Sequence, residues 1–302
     1  MAGVDAVGAP LSRPSTVLAR ARRNREASFD KGPSRYFVLS LLIVAALLTL
    51  FPFFLAAINA IKSPSDYGAH GPIALPYSFD LNALEVFWRE VRFGEKLFNS
   101  FLISGSVAIF GVTISLLNAY ALGIGKIRGR KIILFIFLMG IMVPQEALVY
   151  PIYYLAKAVG LYDTKLSVII VFSVLQGAFG TYLISTVLTA FPREIVEAAE
   201  IDGASRWQVL WHVVIPTLRP TLAVLATFFF IWTWNEFLLP LVLLISNQNQ
   251  NVSIALGSLH GQYTSEPTTT AAAALLGIVP TVIFFLIFQR TLMRGVTVGA
   301  IK

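Results

Sequence analysis

Six long stretches with almost no charge constrain this chain more than any other feature. Residues 36–61 run 26 positions without a charged side chain, and 97–125 and 166–192 are likewise uncharged. Residues 132–156 are interrupted only by Glu146, 221–251 only by Glu236, and 268–289 not at all. A helix needs about 20 apolar residues to cross a hydrocarbon core, so each stretch is long enough to span once. One such stretch could be a buried helix of a soluble core, but six in 302 residues leave too little polar sequence to wrap one. Only 13% of residues are charged and 56% are hydrophobic, against roughly a quarter charged in ordinary soluble domains. Soluble enzymes, disordered chains and fibrous repeats are disfavoured together. The expected fold is all-α: a polytopic membrane protein with six transmembrane helices.

Basic residues set the orientation. Seventeen of the 23 lysines and arginines lie in the tail before the first span, the second-to-third and fourth-to-fifth connections, and the C-terminus. The other six are Lys62, Arg89, Arg92, Lys96, Lys157 and Lys165, in the alternate connections. By the positive-inside rule both termini are cytoplasmic. The tail, residues 1–35, is rich in Ala, Ser and Arg and reads as disordered, able to touch anionic lipid. Its apolar continuation is too long for a signal-peptide core and reads as a retained first helix. The net charge of +7 therefore describes membrane orientation, and nucleic acid is not expected as a partner. Cysteine is absent, and His70, His212 and His260 lie too far apart to form a metal signature.

The connections differ in character. The first outer one, 62–96, contains Pro64, Pro72 and Pro76, and Leu84 to Trp88 suggests a short amphipathic helix near the interface. The last outer one, 247–267, opens with the polar run Asn247 to Asn251 and carries Gly257, Gly261 and Pro267. It reads as an adaptable loop suited to protein docking or to covering a pore. The cytoplasmic connection over 190–217 is the most informative. Arg193 to Asp202 are helix formers, with acids near the start that suit the helix dipole. Gly203 stops that helix and a second short one follows from Ser205. Trp207, Leu210, Trp211 and Val214 recur at i, i+3, i+4 and i+7 as one apolar stripe. Pro216 and Pro220 are expected to break the chain before the fifth span. The result is a helical elbow parallel to the membrane, with Ala198 and Ala199 keeping one patch small enough for close docking.

Glu197, Ala198, Ala199 and Gly203, followed by Val213, Ile215 and Pro216 at the proper spacing, resemble the cytoplasmic signature of permease subunits of ATP-binding-cassette importers. The string from Glu197 to Ser205 is highly specific. Further matches fall on Gly160 to Thr164, Trp234 to Pro240, and the ending from Phe288 to Arg290 and Gly299 to Lys302. The chain resembles the smaller membrane subunit of binding-protein-dependent sugar importers of the maltose type. The resemblance covers about 36–302, the permease domain, and implies a type I importer fold.

That resemblance implies that the elbow is the coupling helix, with Glu197, Ala198, Ala199, Asp202, Gly203 and Pro216 meeting an ATPase subunit. It further implies as partners a second, homologous permease, two ATPase subunits that use ATP and Mg, an extracellular or periplasmic solute-binding protein, and a sugar, a di- or oligosaccharide. The C-terminal residues Gly299 to Lys302 would reach between the ATPase subunits. The chain has no Gly-rich loop followed by Lys-Ser/Thr, so it binds no ATP in that manner and no cofactor of its own is expected. It is not expected to be an enzyme, and its place is the bacterial or archaeal cell membrane.

Polar groups inside hydrocarbon are functional candidates by default. Gln145 and Glu146 lie between Pro144 and Pro151, which imply a kinked third span. Trp234, Asn235 and Glu236 lie in the fifth span, and Gln176 in the fourth among Gly177, Gly180 and Tyr182, which suit close packing. Carboxylates, amides and indoles are the mixture that sugar hydroxyls and ring faces require, so these line the expected substrate pathway. By chain order, Gly257, His260, Gly261 and Gln262 face the binding protein. Two alternatives stand beside the sugar importer: the same architecture carrying a glycerophosphodiester or polyol, and a secondary transporter, which would not need a docking elbow.

Overall fold

A computed structural model describes residues 33–125, 127–262 and 266–300. The basic tail up to residue 32 and the terminal Ile301 and Lys302 lie outside the described residues. Helix α1 is Pro33–Ala60, with proline at its start where no N–H is required. Its course up to Leu55 belongs to one compact unit, and the chain from Ala56 onward forms a second. Along α1 the side chains from Tyr36 to Phe54 are exposed, as expected of a helix solvated by lipid.

In the second unit, α2 (Pro64–His70) and α3 (Asn82–Glu90) lie in the first outer connection. The short helix expected around Leu84 to Trp88 is α3, held by buried Ala83 and Phe87. The long helices α4 (Phe93–Gly123), α7 (Lys165–Thr189), α9 (Arg206–Asn235) and α12 (Pro267–Ala300) follow, with α5 (Arg130–Met142), α6 (Val149–Ala158) and α8 (Arg193–Ile201) between them. Among the described residues five helices, counting α1, are each long and apolar enough to cross a membrane. A sixth is reached if α5 and the segment Gln145–Ala158, bent by 91° at a short break, count as one span. The expected kink is thus a sharp break at Val143 and Pro144. Pro151 adds nothing to it, because it sits in the first turn of α6, where its missing N–H is harmless.

The centre is the crossing of α4 with α7, backed by α9. Lipid supplies no hydrophobic force between helices, so close approach and cross-helix hydrogen bonds must hold them. Ser115 Oγ donates to Gly111 O (2.6 Å) and across to Gly177 O (3.2 Å). A Cβ on Gly111 would come within 2.9 Å of Phe229, and one on Gly180 would overlap Ser115. Gly177 and Gly180 pack as expected, whereas Tyr182 is exposed.

Three expectations need correction. The chain does not break at Pro216 or Pro220: Arg206 to Asn235 is one helix with a π-turn over Leu210–Val214. There the Ile215 N–H reaches back to Leu210 O, so the wider turn removes the clash that the Pro216 ring would cause in a regular helix. Secondly, the expected apolar stripe is divided. Leu210 and Val214 are buried in the core, while Trp207 and Trp211 are about 60% exposed. Thirdly, the fifth span stops at Asn235. It is followed by the short α10 (Leu238–Leu243), a 3-10 turn at Asn247–Asn249, and α11 (Val252–Gln262), where a loop was expected. Asn251 caps α11, its Oδ1 accepting from Ile254 N at 3.1 Å. Gly257 lies inside this helix because Phe237 occupies the space a side chain would need.

Candidate functional site

The cytoplasmic elbow is built from two complementary helix ends. Helix α8 closes through paired bonds, Ala204 N to Ala199 O (2.9 Å) and Gly203 N to Glu200 O (3.1 Å), around Gly203 at φ +83°. This is a Schellman stop, and its accompanying apolar contact is made by Ala199 and Ala204, which pack on the core. Nothing lies within 4 Å of where a Gly203 Cβ would be, so glycine serves here for its left-handed backbone and not for space. One residue after Ala204, Ser205 and Gln208 form a reciprocal capping box that starts α9. Tyr120 OH donates to Arg206 O (2.8 Å), tying the elbow to the end of α4.

The N–H groups of Asp202, Gly203, Ala204 and Ser205 are all bonded within the elbow, and much of its outer face is left exposed. Val196 is buried and Ala199 half-buried, whereas Glu194, Ile195, Glu197, Ala198, Ile201 and Asp202 are exposed. Ile201 is 86% exposed. The two alanines of the expected patch therefore part company, Ala199 facing the bundle and Ala198 facing out. Pro216 is exposed on α9, directly after the π-turn.

Four of the six expected pathway residues come together. Gln145, Phe172, Gln176, Trp232, Asn235 and Glu236 line a recess of about 300 Å³, with Ile231 completing its wall. Gln145 follows the break after α5, and Glu236 sits in extended backbone at the break after α9. Irregular backbone at membrane depth is tolerated where it is covered by protein or lines a cavity. Gln176 is 9% exposed and donates from Nε2 to Thr233 Oγ1 (2.9 Å), while its buried Oε1 accepts no hydrogen bond from the protein. Asn235 Nδ2 donates back to Ile231 O (2.8 Å).

The other two pathway residues lie elsewhere. Glu146 is exposed in the 3-10 turn beside Gln145, outside the recess lining. Trp234 is buried among Phe101, Phe230 and Phe284, with ring centroids 5.2–5.8 Å away. The indole in the recess is that of Trp232. Its signal was present, since Ile231, Trp232 and Asn235 share one helix face at i, i+1 and i+4, and Phe172 stands four residues before Gln176.

At the outer end the polar run 247–251 is held from two sides. Lys96 is fully buried, and its ammonium donates to Asn247 O and to Asn247 Oδ1 (2.6 Å). Asn99 Nδ2 donates to Gln248 O and Gln250 O, both at 2.8 Å, and Val252 N donates to Ser100 Oγ (2.9 Å). From the other side, Asp163 accepts from Ile245 N (3.0 Å), Ser246 N (2.9 Å) and Ser246 Oγ. Burial pushes the Asp163 carboxyl up, but these bonds together with Asn249 outweigh it and hold the group below its ordinary 3.8. Gly257 lies within α11 beside Phe237 and lines a second recess of about 420 Å³ with Trp234, Ser253 and Thr281. The side chains of His260, Gly261 and Gln262 lie outside the described residues. Among the described residues no group of three His, Cys, Asp or Glu could hold a metal ion.

Residues 111–298 match the family described as binding-protein-dependent transport system inner membrane component. A probable starch degradation products transport system permease protein of Thermoanaerobacterium thermosulfurigenes is 27% identical over 270 residues, covering 89% of this chain and 97% of that one. A lactose transport system permease protein of Rhizobium radiobacter is 28% identical over 268 residues, covering 89% and 95%. In fold, the chain resembles a crystallised bacterial ABC transporter involved in import of the acidic polysaccharide alginate. The TM-score is 0.69 at 23% identity, covering 93% of this chain and 99% of that one.

Proposed function

The chain belongs to the family of binding-protein-dependent transport system inner membrane components, and we propose that it is the permease subunit of an ATP-driven importer for a di- or oligosaccharide. The starch-product and lactose systems of its relatives support a sugar as cargo. An extracellular solute-binding protein delivers the sugar, a second homologous permease completes the pathway, and two ATPase subunits hydrolyse ATP with Mg on the cytoplasmic side. The permease domain extends over about 36–302, beyond the matched 111–298.

The observation that carries the reading is the elbow over 190–217. Its corner is closed internally, and it offers a short ridge of acids and small or apolar side chains: Glu194, Glu197, Ala198, Ile201 and Asp202. Such a ridge suits a groove on an ATPase subunit. Because Arg206 to Asn235 is one helical segment from the elbow onward, motion of the seated elbow passes directly into the fifth span. ATP-driven closure of the partner subunits then biases the permease between inward- and outward-facing states. Glu197 and Gly203 are the first candidates for loss of transport, Asp202 and Ala199 the second. Pro216 acts at one remove, by setting the π-turn between elbow and span.

Replacing Gly203 with proline removes both the left-handed residue and the N–H bonded to Glu200 O. The reconstituted complex carrying this change is expected to insert normally and to lose uptake, with ATPase activity no longer stimulated by loaded binding protein. Unchanged stimulation would refute the elbow assignment. Ligand binding by the cognate binding protein, measured across mono-, di- and oligosaccharides, a polyol and a glycerophosphodiester, decides the cargo.

A further inference from the structure

Two interrupted helices and one orphaned amide converge on the recess between α7 and α9. The break after α5 supplies Gln145, the break after α9 supplies Glu236, and α7 supplies Gln176, whose Oε1 is buried without a protein donor. A buried polar atom left unpaired costs about 1–3 kcal/mol, so a fold keeps one where something else pairs with it. A polar set of this kind is unsuited to face lipid and belongs toward protein or a water-filled path. Broken helices at membrane depth are themselves a recurrent way to build a solute site. The remaining walls are the aromatic faces of Trp232 and Phe172. Few polar groups set among apolar and aromatic ones are the usual make-up of a small-molecule site.

The lining also carries a statement about charge. It holds two primary amides beside Gln176, one carboxyl group, and no lysine, arginine or histidine. Nothing there compensates a carboxylate or phosphate on the cargo, and burying an unpaired charge is among the costliest events in a protein interior. A sugar hydroxyl, by contrast, both donates and accepts, and so completes the Gln176 amide whichever way its plane is turned. Glu236 and Asn235 offer further acceptors to hydroxyl donors, and the Trp232 indole gives an apolar face for a pyranose ring.

We infer that this recess is a sugar-contact subsite carried by this chain itself, taking an uncharged, hydroxyl-rich ring and rejecting uronates. The inference rests on the sugar-importer reading above and goes beyond it in naming the subunit, the residues and the charge class of the cargo.

The test uses the whole complex in nanodiscs, with maltotriose, lactose and digalacturonate as probes and tryptophan fluorescence as the readout. At least one neutral probe is expected to quench fluorescence saturably while digalacturonate does not. Trp232→Phe should abolish the quench. Gln176→Leu should weaken binding about tenfold, the factor that corresponds to about 1.4 kcal/mol. Thr233→Val removes the structural partner of Gln176 outside the lining, and should leave the affinity within about twofold if the amide acts on the ligand. Assembly of each variant is checked by gel filtration. The inference is overturned if neither neutral probe binds, if digalacturonate binds as tightly as they do, or if Gln176→Leu leaves the affinity of an assembled complex unchanged. It is equally overturned if Thr233→Val weakens binding as much as Gln176→Leu. The importer reading fails separately: it falls if loaded binding protein never stimulates ATP hydrolysis by the wild-type complex, whatever the sugars do.

Discussion

The outer end of this protein engages most of its basic groups internally, whereas the cytoplasmic elbow closes its corner locally and leaves its acids Glu194, Glu197 and Asp202 exposed. Five of the six basic residues on the outer side are engaged within the fold. Lys62 donates to Gly71 O (2.9 Å), Arg89 and Arg92 pair with Glu85 and Glu95, Lys96 holds Asn247, and Lys157 lies over the rings of Tyr153 and Tyr162. Lys62 and Lys96 are fully buried. At the elbow, the exposed Glu194, Glu197 and Asp202 make no ion pair among the described residues. One end is built as a fixed mount and the other as a handle. Substitutions should therefore cost stability at the first and coupling at the second.

Asp163→Ala is the severest test of the mount. It strands the N–H groups of Ile245 and Ser246 and the Ser246 hydroxyl, and hydrogen bonds to charged groups are worth about 1.5–3 kcal/mol each. A loss of about 3 kcal/mol is expected as a lower thermal midpoint in detergent; a wild-type melting curve would dissolve the contrast between the two ends. Lys96→Met keeps the packing but leaves the Asn247 acceptors without their donor, for about 2 kcal/mol by the same assay.

Smaller effects belong to the handle. Gly203→Ala forces a side chain into the left-handed region and should cost about 1 kcal/mol, with Gly203→Asn milder because asparagine tolerates that conformation. Ile201→Ser and Glu197→Gln change exposed side chains and should alter stability by less than about 0.5 kcal/mol while reducing ATP-coupled uptake. If they lower the melting midpoint and spare uptake, the roles of the two ends are reversed.

The least effect is one of pH. Asp163 and Asp66 both titrate below 3.8, Asp66 chiefly because Tyr77 N donates to it, with His70 and Lys62 adding to the effect against burial. The unfolded chain takes up these protons first as pH falls. The stabilisation is therefore complete above about pH 5 and is lost as pH drops through the folded values. Asp163→Asn should flatten that part of the acid-unfolding profile, whereas changes at the elbow should leave it alone.

How much of this was readable from the chain follows from the range of the forces involved. The corner of the elbow was legible nearly to the residue, because a helix stop needs one glycine and a helix start one serine, both local. The polar run 247–251 looked like a solvated loop because its partners Lys96 and Asn99 lie about 150 positions away. Its two glycines also masked α11, though Asn251 before an apolar run was a readable cap. Pro216 and Pro220 looked like breaks, since nothing in the local pattern announces a π-turn that absorbs a proline. Trp234 and Trp232 were two residues apart on one helix, so which indole enters the core and which the recess depended on neighbours from other helices.

Sequence alone determined where the apolar stretches lie, the side on which the basic residues collect, and the acidic corner with its glycine stop. Each of these depends on how single segments partition between water and hydrocarbon or on hydrogen bonds within a few residues. Only the tertiary structure decided that Gln145, Gln176, Asn235 and Glu236 meet in one recess while Glu146 stays outside it. That meeting requires two helix breaks to face the same helix crossing, and the approach at that crossing is set by Gly111, Ser115 and Gly180 packing without room for another methyl group.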